Sequence, residues 1–119
     1  MESVYKTEFE NIKLKNRGKV RDIYELDDFL LFVASDRISA FDVVMNEAVP
    51  GKGKILSGIS KFWFEKTSHI IKNHLITGDA DQYPDELKKY KNELEGRSML
   101  VHKCEPLPVE FIVRGYLAG

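Results

Sequence analysis

Four short stretches of the sequence place residue types where they could do chemistry. "RGKVRD" (Arg17–Asp22) puts Lys19 and Arg21 two residues apart, just after Gly18. On a strand, residues two apart share a face. Two cations on one face beside a glycine that lets backbone N–H groups approach closely could clamp a polyanion such as a phosphate chain. The same pattern also describes a solvated hairpin with ordinary surface charges. "SDRISAFD" (Ser35–Asp42) crowds Asp36, Arg37, Ser39 and Asp42 into eight residues where an apolar run gives out. Loops held by a rigid sheet often carry function, and local side-chain capping of a turn explains that density equally well. "EPLPVEFIVRG" (Glu105–Gly115) sets Arg114 inside an apolar run. On an alternating strand Glu110, Ile112 and Arg114 share one face. That is either a plain salt bridge or a guanidinium fork that reaches an anionic substrate and is aligned by Glu110. The two prolines before it lack N–H, so this connector cannot pair fully in a sheet. Free backbone groups beside a cleft would suit the edge of an adenine ring.

The fourth stretch, "GKGK" (Gly51–Lys54), is not a P-loop. With Gly53-Lys54 as the G-K pair, Ala48 stands where the motif needs glycine and Ile55 where it needs Ser or Thr. What is left is a glycine- and lysine-rich turn that feeds a helix N-terminus. Such a turn is either an anion site or a plain helix entry. His69 and His74 lie five apart, the wrong spacing for a metal pair on one helical face, and read as exposed. His102 and Cys104 share a strand face without a third soft ligand, so no metal site is expected there. Cys104 reads as a small core side chain.

The elements that must position these residues follow from hydrophobic period. "NIKLK" (11–15), "KVRDIYEL" (19–26), "FLLFVAS" (29–35) and "FDVVMNEAV" (41–49) read as strands. "NRG" (16–18) is a hairpin signal, with a glycine able to adopt positive φ. The unbroken apolar run of "FLLFVAS" predicts a central strand buried on both faces. From Lys54 to His74, Ile55, Leu56, Ile59, Phe62, Trp63, Ile70 and Ile71 recur at spacings of three and four. That predicts an amphipathic helix with its stripe against the sheet. Pro84 with Asp85 and Glu86 marks a second helix start and Gly96 its stop. "RSMLVHKC" and "VEFIVRGYL" read as two final strands. This order fits an α+β fold, an antiparallel sheet with a helix on one face. It lacks the regular strand–helix alternation of a doubly wound nucleotide-binding domain.

The 119 residues suit one domain. A formal net charge of −1 argues against a general nucleic-acid or membrane-surface binder, which needs a basic excess. A single cysteine permits no internal disulfide and suits a reducing compartment. The first ten residues have no apolar core of a secretory signal, and no apolar run approaches the ~18 residues that span a bilayer. A cytoplasmic location is the expectation.

In this order, "GKVRDIYEL" (Gly18–Leu26), "ASDRISAFDVVM" (Ala34–Met45), "PGKGKIL" (Pro50–Leu56), "LEGRSMLVHKCEPLPVE" (Leu94–Glu110) and "VRGYLAG" (Val113–Gly119) resemble the N-terminal half of the SAICAR synthetase family of purine biosynthesis. The resemblance covers nearly the whole chain. It implies a ligase that joins L-aspartate to carboxyaminoimidazole ribonucleotide (CAIR) with ATP and Mg²⁺, giving SAICAR, ADP and phosphate by way of an acyl phosphate. It also implies a kinase-like or ATP-grasp-like architecture with ATP between two lobes. Residues 1–119 would be the N-terminal, ATP-binding lobe. On that reading Gly18, Lys19 and Arg21 cover the ATP phosphates, and Lys103, Glu105 and Leu107 belong to the hinge that reads adenine. Asp36, Arg37 and Ser39 line the CAIR and aspartate side. Glu110 and Arg114 hold a substrate anion, and Lys19 and Arg114 act most directly in catalysis.

The metal ligands are expected from a C-terminal half that this chain lacks, so the isolated 119 residues are expected to make no SAICAR. Two other readings stay open. One is a non-catalytic nucleotide-binding module. The other is a half enzyme completed by a partner chain or by a homo-oligomer.

Overall fold

The structure is a computed structural model that describes residues 2–117. Ala118 and Gly119, the end of the last motif, lie outside the described residues. Five strands form the main antiparallel sheet, in the order β1 (Lys13–Arg17), β2 (Arg21–Leu26), β3 (Phe29–Ala34), β7 (Ser98–His102), β6 (Leu75–Thr77). The apolar run of β3 sits at the centre because it pairs on both sides, Leu31 with Tyr24 of β2 and with Leu100 of β7. One face of the sheet is sealed. Tyr24, Leu26, Leu31, Val33 and Leu100 pack there with Phe9, Ile12, Tyr83, Leu87 and Leu94. The covering residues come from the N-terminal segment, a 3₁₀ turn (Ala80–Gln82) and two short helices, α2 (Asp85–Lys88) and α3 (Lys91–Leu94). Gly96, at φ 79°, ends that layer as the sequence predicts.

The opposite face carries α1 (Lys52–Lys66). Leu30, Met99 and Val101 are buried there, with Ile23, Phe32, Phe64 and Leu75 half-covering them. A second, two-stranded sheet pairs β4 (Arg37–Ala40) with β5 (Val43–Ala48). The sequence shows β5 but not β4. The turn between them, Phe41 (φ 52°) and Asp42 (φ 63°), uses positive φ without glycine, so the usual hairpin signal is missing.

Four expectations are corrected. Gly18 does not take positive φ; the turn closes instead through its N–H to the Arg21 carbonyl at 2.8 Å. The helix stops at Lys66 rather than His74. There the Thr67 and Ser68 hydroxyls donate back to the carbonyls of Trp63 (2.7 Å) and Glu65 (2.9 Å), and the chain leaves to form β6. The apolar stripe of α1 does not face the sheet: its buried residues are Gly53 and Ser57, while Ile55, Ile59, Phe62 and Trp63 are exposed. Residues 109–117 form no strand. A strand exists only by pairing, and no strand of the described residues pairs with this segment, so Glu110, Ile112 and Arg114 share no pleated face.

Candidate nucleotide and substrate site

Two buried carboxylates organise the region that carries the motifs. Asp22 points from β2 into the interior. It accepts from the Thr7 N–H and hydroxyl, both 2.9 Å, from Arg17 Nε at 3.0 Å and from Arg37 Nη2 at 2.9 Å. Asp36, at the end of β3, accepts from Val4 N–H (2.8 Å), Gly53 N–H (2.9 Å) and both terminal nitrogens of Arg97 (2.9 and 3.1 Å). Each carboxylate thus receives four hydrogen bonds, the number its lone pairs can take. Burial pushes the Asp36 carboxyl up. The hydrogen bonds from Arg97, Val4 and Gly53 outweigh it and hold the group at about 2. Asp22 is likewise held below the usual carboxylate range, its desolvation outweighed by bonds from Thr7 and Arg37.

Arg37 is as fully used. Beyond Asp22 it donates to the carbonyls of Tyr5 (2.8 Å), Gly18 (3.0 Å) and Lys19 (3.0 Å). The base of the β4–β5 hairpin therefore grips the Gly18–Lys19 backbone, and at its tip Asp42 pairs with the Lys19 ammonium. The structure thus brings together Gly18, Lys19, Asp36 and Arg37. Asp36 and Arg37 are sealed inside as the frame of this corner, with their side chains engaged by protein. Ser39, half-buried in β4 opposite Val44, is more open than Asp36 and Arg37. "GKGK" is absorbed into the same frame. Gly51 takes φ 84° at the helix entry, and a Cβ on Gly53 would lie 2.1 Å from the Ala34 carbonyl oxygen. With the Gly53 N–H on Asp36 and Lys52 Nζ on the Arg37 carbonyl at 3.0 Å, that turn is a helix anchor rather than an anion cradle.

A cleft of about 400 Å³ opens on the α1 side of the sheet. Ile23, Leu30 and Phe32 line it from the sheet, Lys15 and Asn16 from β1, His74 and His102 from the strand ends, and Cys104 and Pro106 from the connector. Arg21 belongs to this side too, its guanidinium 5.9 Å from the Phe32 ring centre. Cys104 is exposed rather than in the core, because it lies past the end of β7. His74 is half-buried rather than exposed. It stands edge-on to Phe32 and Phe64, where burial, then the nearby His102, push its pKa down. Lys103 turns to Glu25, 2.7 Å away, and Glu105 and Leu107 are exposed along the connector. Glu110 and Arg114 lie further along the same exposed segment. A larger groove of about 780 Å³ runs between α1 and β6, but none of the candidate site residues read from the sequence lines it.

Sequence reasoning missed Asp22, Arg97, Thr7 and the apolar floor of the cleft. A signal existed for two of them: Asp22 and Arg97 each interrupt or abut an apolar strand run, and a charge in that place must find a partner. Among the described residues, no three His, Cys, Asp or Glu side chains converge as a metal site.

A sequence model of the family described as SAICAR synthetase matches residues 14–119. The chain belongs to that family. The phosphoribosylaminoimidazole-succinocarboxamide synthase of Syntrophotalea carbinolica is 61% identical over 116 residues, covering 98% of this chain and 39% of that protein. The protein of the same name from Thermodesulfovibrio yellowstonii is 60% identical, with 98% and 40% covered. A solved SAICAR synthase superposes with a TM-score of 0.89 at 50% identity, over 98% of this chain and 42% of that one. The structure titled SAICAR-synthase from Saccharomyces cerevisiae complexed with SAICAR gives 0.76 at 50% identity, over 85% and 37%. The α+β lobe is therefore the SAICAR synthetase fold over this span. The chain spans about two-fifths of the length of the curated relatives it matches.

Proposed function

We propose that this chain is the N-terminal, nucleotide-binding lobe of an ATP-dependent amide-forming ligase of purine biosynthesis, acting in the cytoplasm. The complete reaction joins L-aspartate to CAIR. The observation that carries this reading is the cleft over Ile23, Leu30 and Phe32. It has the proline connector at its rim and Arg21 on the strand that leads back to the Gly18–Lys19 turn. An apolar slot with cations on the same strand and its turn suits a flat base joined to a polyphosphate.

In this arrangement the adenine lies on Phe32 and Ile23, against the backbone of Lys103, Glu105 and Leu107. Arg21 and Lys19 neutralise the phosphates, and the Gly18 turn covers them. Phosphoryl transfer asks the protein chiefly for such positioning and charge neutralisation. Asp36 and Arg37 serve the substrate side by fixing the hairpin that presents Ser39. Glu110 and Arg114, on the exposed segment beyond the connector, hold a substrate anion.

The donor set described here does not fit a protein-held Mg²⁺, which takes carboxylates together with phosphates. Mg²⁺ would be held by the nucleotide phosphates together with carboxylates from outside this span. The apolar residues exposed along 107–117 favour a lobe that works against further protein over a self-sufficient binding module.

The test is an ATP titration of the chain followed by backbone NMR. Shifts should gather at Gly18, Arg21, Ile23, Phe32 and the 103–107 connector. Shifts confined to the groove between α1 and β6 would overturn the assignment. In a complete enzyme, Arg114→Ala should lower CAIR turnover more than ATP affinity, and unchanged turnover would remove Arg114 from the site.

A further inference from the structure

Helix α1 has three faces. At 3.6 residues per turn, Gly53, Ser57, Ser60 and Phe64 share the side toward the sheet, and Lys54, Gly58, Lys61 and Glu65 a polar side. The third side, an arc of roughly 120° on the same geometry, holds Ile55, Leu56, Ile59, Phe62 and Trp63. These are 64, 42, 50, 53 and 54% exposed. Half of five large side chains at about 200 Å² each leaves roughly 500 Å² of apolar surface. That is near the upper end for the largest patch on a lone monomer. Ile70 and Ile71, just past the helix, are more exposed still.

We propose that this stripe is a docking ridge for the part of the family-length polypeptide that the chain does not span, so that α1 lies in an interface between lobes. The inference rests on the two-lobe reading above. Three observations choose this occupant. First, the larger part of each curated relative has no counterpart here. Second, α1 and the cleft occupy the same side of the sheet, so a lobe that closes the cleft arrives on the side where α1 stands. The connector leaves by that side as well, since Phe64, His74, His102 and Cys104 line one hollow. Third, a second copy fits poorly. An antiparallel α1 pair centred on Ile59 sets Lys52 against Lys66 at both ends, and both lysines fall within the arc of the stripe. The facing surface should therefore be apolar with an acidic rim.

The test replaces the matched 39% of the Syntrophotalea carbinolica protein with this chain. Hydroxyl-radical oxidation of Trp63 is then compared in the chimera and in the 119-residue chain, with buried Tyr24 as the internal reference. Oxidation should fall several-fold in the chimera, toward the level of Tyr24, while the chain alone sediments as a monomer. Trp63 equally reactive in both would overturn the proposal. So would a chain that is already protected and sediments as a dimer, which would assign the stripe to a second copy. The double variant Ile59→Glu, Trp63→Glu gives an independent reading on the chain alone. Its melting temperature should match that of the unsubstituted chain, and a fall of many degrees would mean the stripe is already packed. SAICAR formation by the chimera separates the two claims. Turnover with Trp63 exposed sinks only the docking ridge, and protection without turnover sinks only the ligase reading.

Discussion

The two faces of the five-stranded sheet were built by the same alternation, yet only one of them is finished. On the closed face, Tyr24, Leu31, Val33 and Leu100 are buried against the N-terminal segment and the short helices. On the other, Leu30, Met99 and Val101 are buried while Ile23 and Phe32 stay half-open above a cleft, and α1 turns its apolar stripe away. Alternation guarantees that a strand has two faces, and says nothing about what covers each. The closed face stores stability. On the proposed reading the open face serves recognition, because surface not yet buried is what a ligand or another lobe can bury.

The largest disturbance should come from the carboxylate that links both sides. Asp36 ties the N-terminal segment, the start of α1 and Arg97 together. Asp36→Ala leaves the Arg97 guanidinium buried without its partner and should cost about 3–5 kcal/mol, read as a lowered urea midpoint. A loss under 1 kcal/mol would mean that the linkage is not what holds the corner.

Next come two neighbours on opposite faces. Leu31→Ala should cost about 2–5 kcal/mol by leaving a cavity. Phe32→Ala, half-exposed to begin with, should cost clearly less but weaken ATP binding, which Leu31→Ala spares in the molecules that stay folded. Equal losses of stability with unchanged nucleotide affinity would erase the distinction between the faces.

Acid should attack the same corner. The Asp36 pKa is lowered by folding, so its contribution is present above the ordinary carboxylate value. It is lost as pH falls from about 4 toward 2. Stability that is flat across that window in the unsubstituted chain would contradict the buried pairing.

The smallest stability effect belongs to Lys19→Ala. Its partner Asp42 is exposed, and solvent screening leaves such surface pairs little weight in stability. Its effect should appear instead as weaker, less salt-sensitive ATP binding.

Much of this fold was legible because it is written in period. The unbroken apolar run of 29–34 marked a central strand, and the strand formers Ile23, Tyr24 and Leu26 marked another. Gly96 required a helix stop. The candidate site was legible in part: "RGKVRD" and "SDRISAFD" do meet, but the meeting is made by Arg37, whose four acceptors lie at Tyr5, Gly18, Lys19 and Asp22. No local pattern announces that Asp36 and Arg37 face inward, since their partners are distant in sequence. The cleft was invisible for the same reason, because its walls come from β1, β2, β3, the ends of β6 and β7, and the connector.

By itself, then, the sequence determined the central strands, the existence of a helix after Gly51, the stop at Gly96, and which family the motifs belong to. These follow from local sterics, hydrophobic period and residue order. Only the tertiary structure decided which face of α1 meets the sheet, which charges are buried as frame, and that Leu107–Leu117 finds no strand partner here. Those outcomes depend on what lies across from each residue, and the chain's order does not record that.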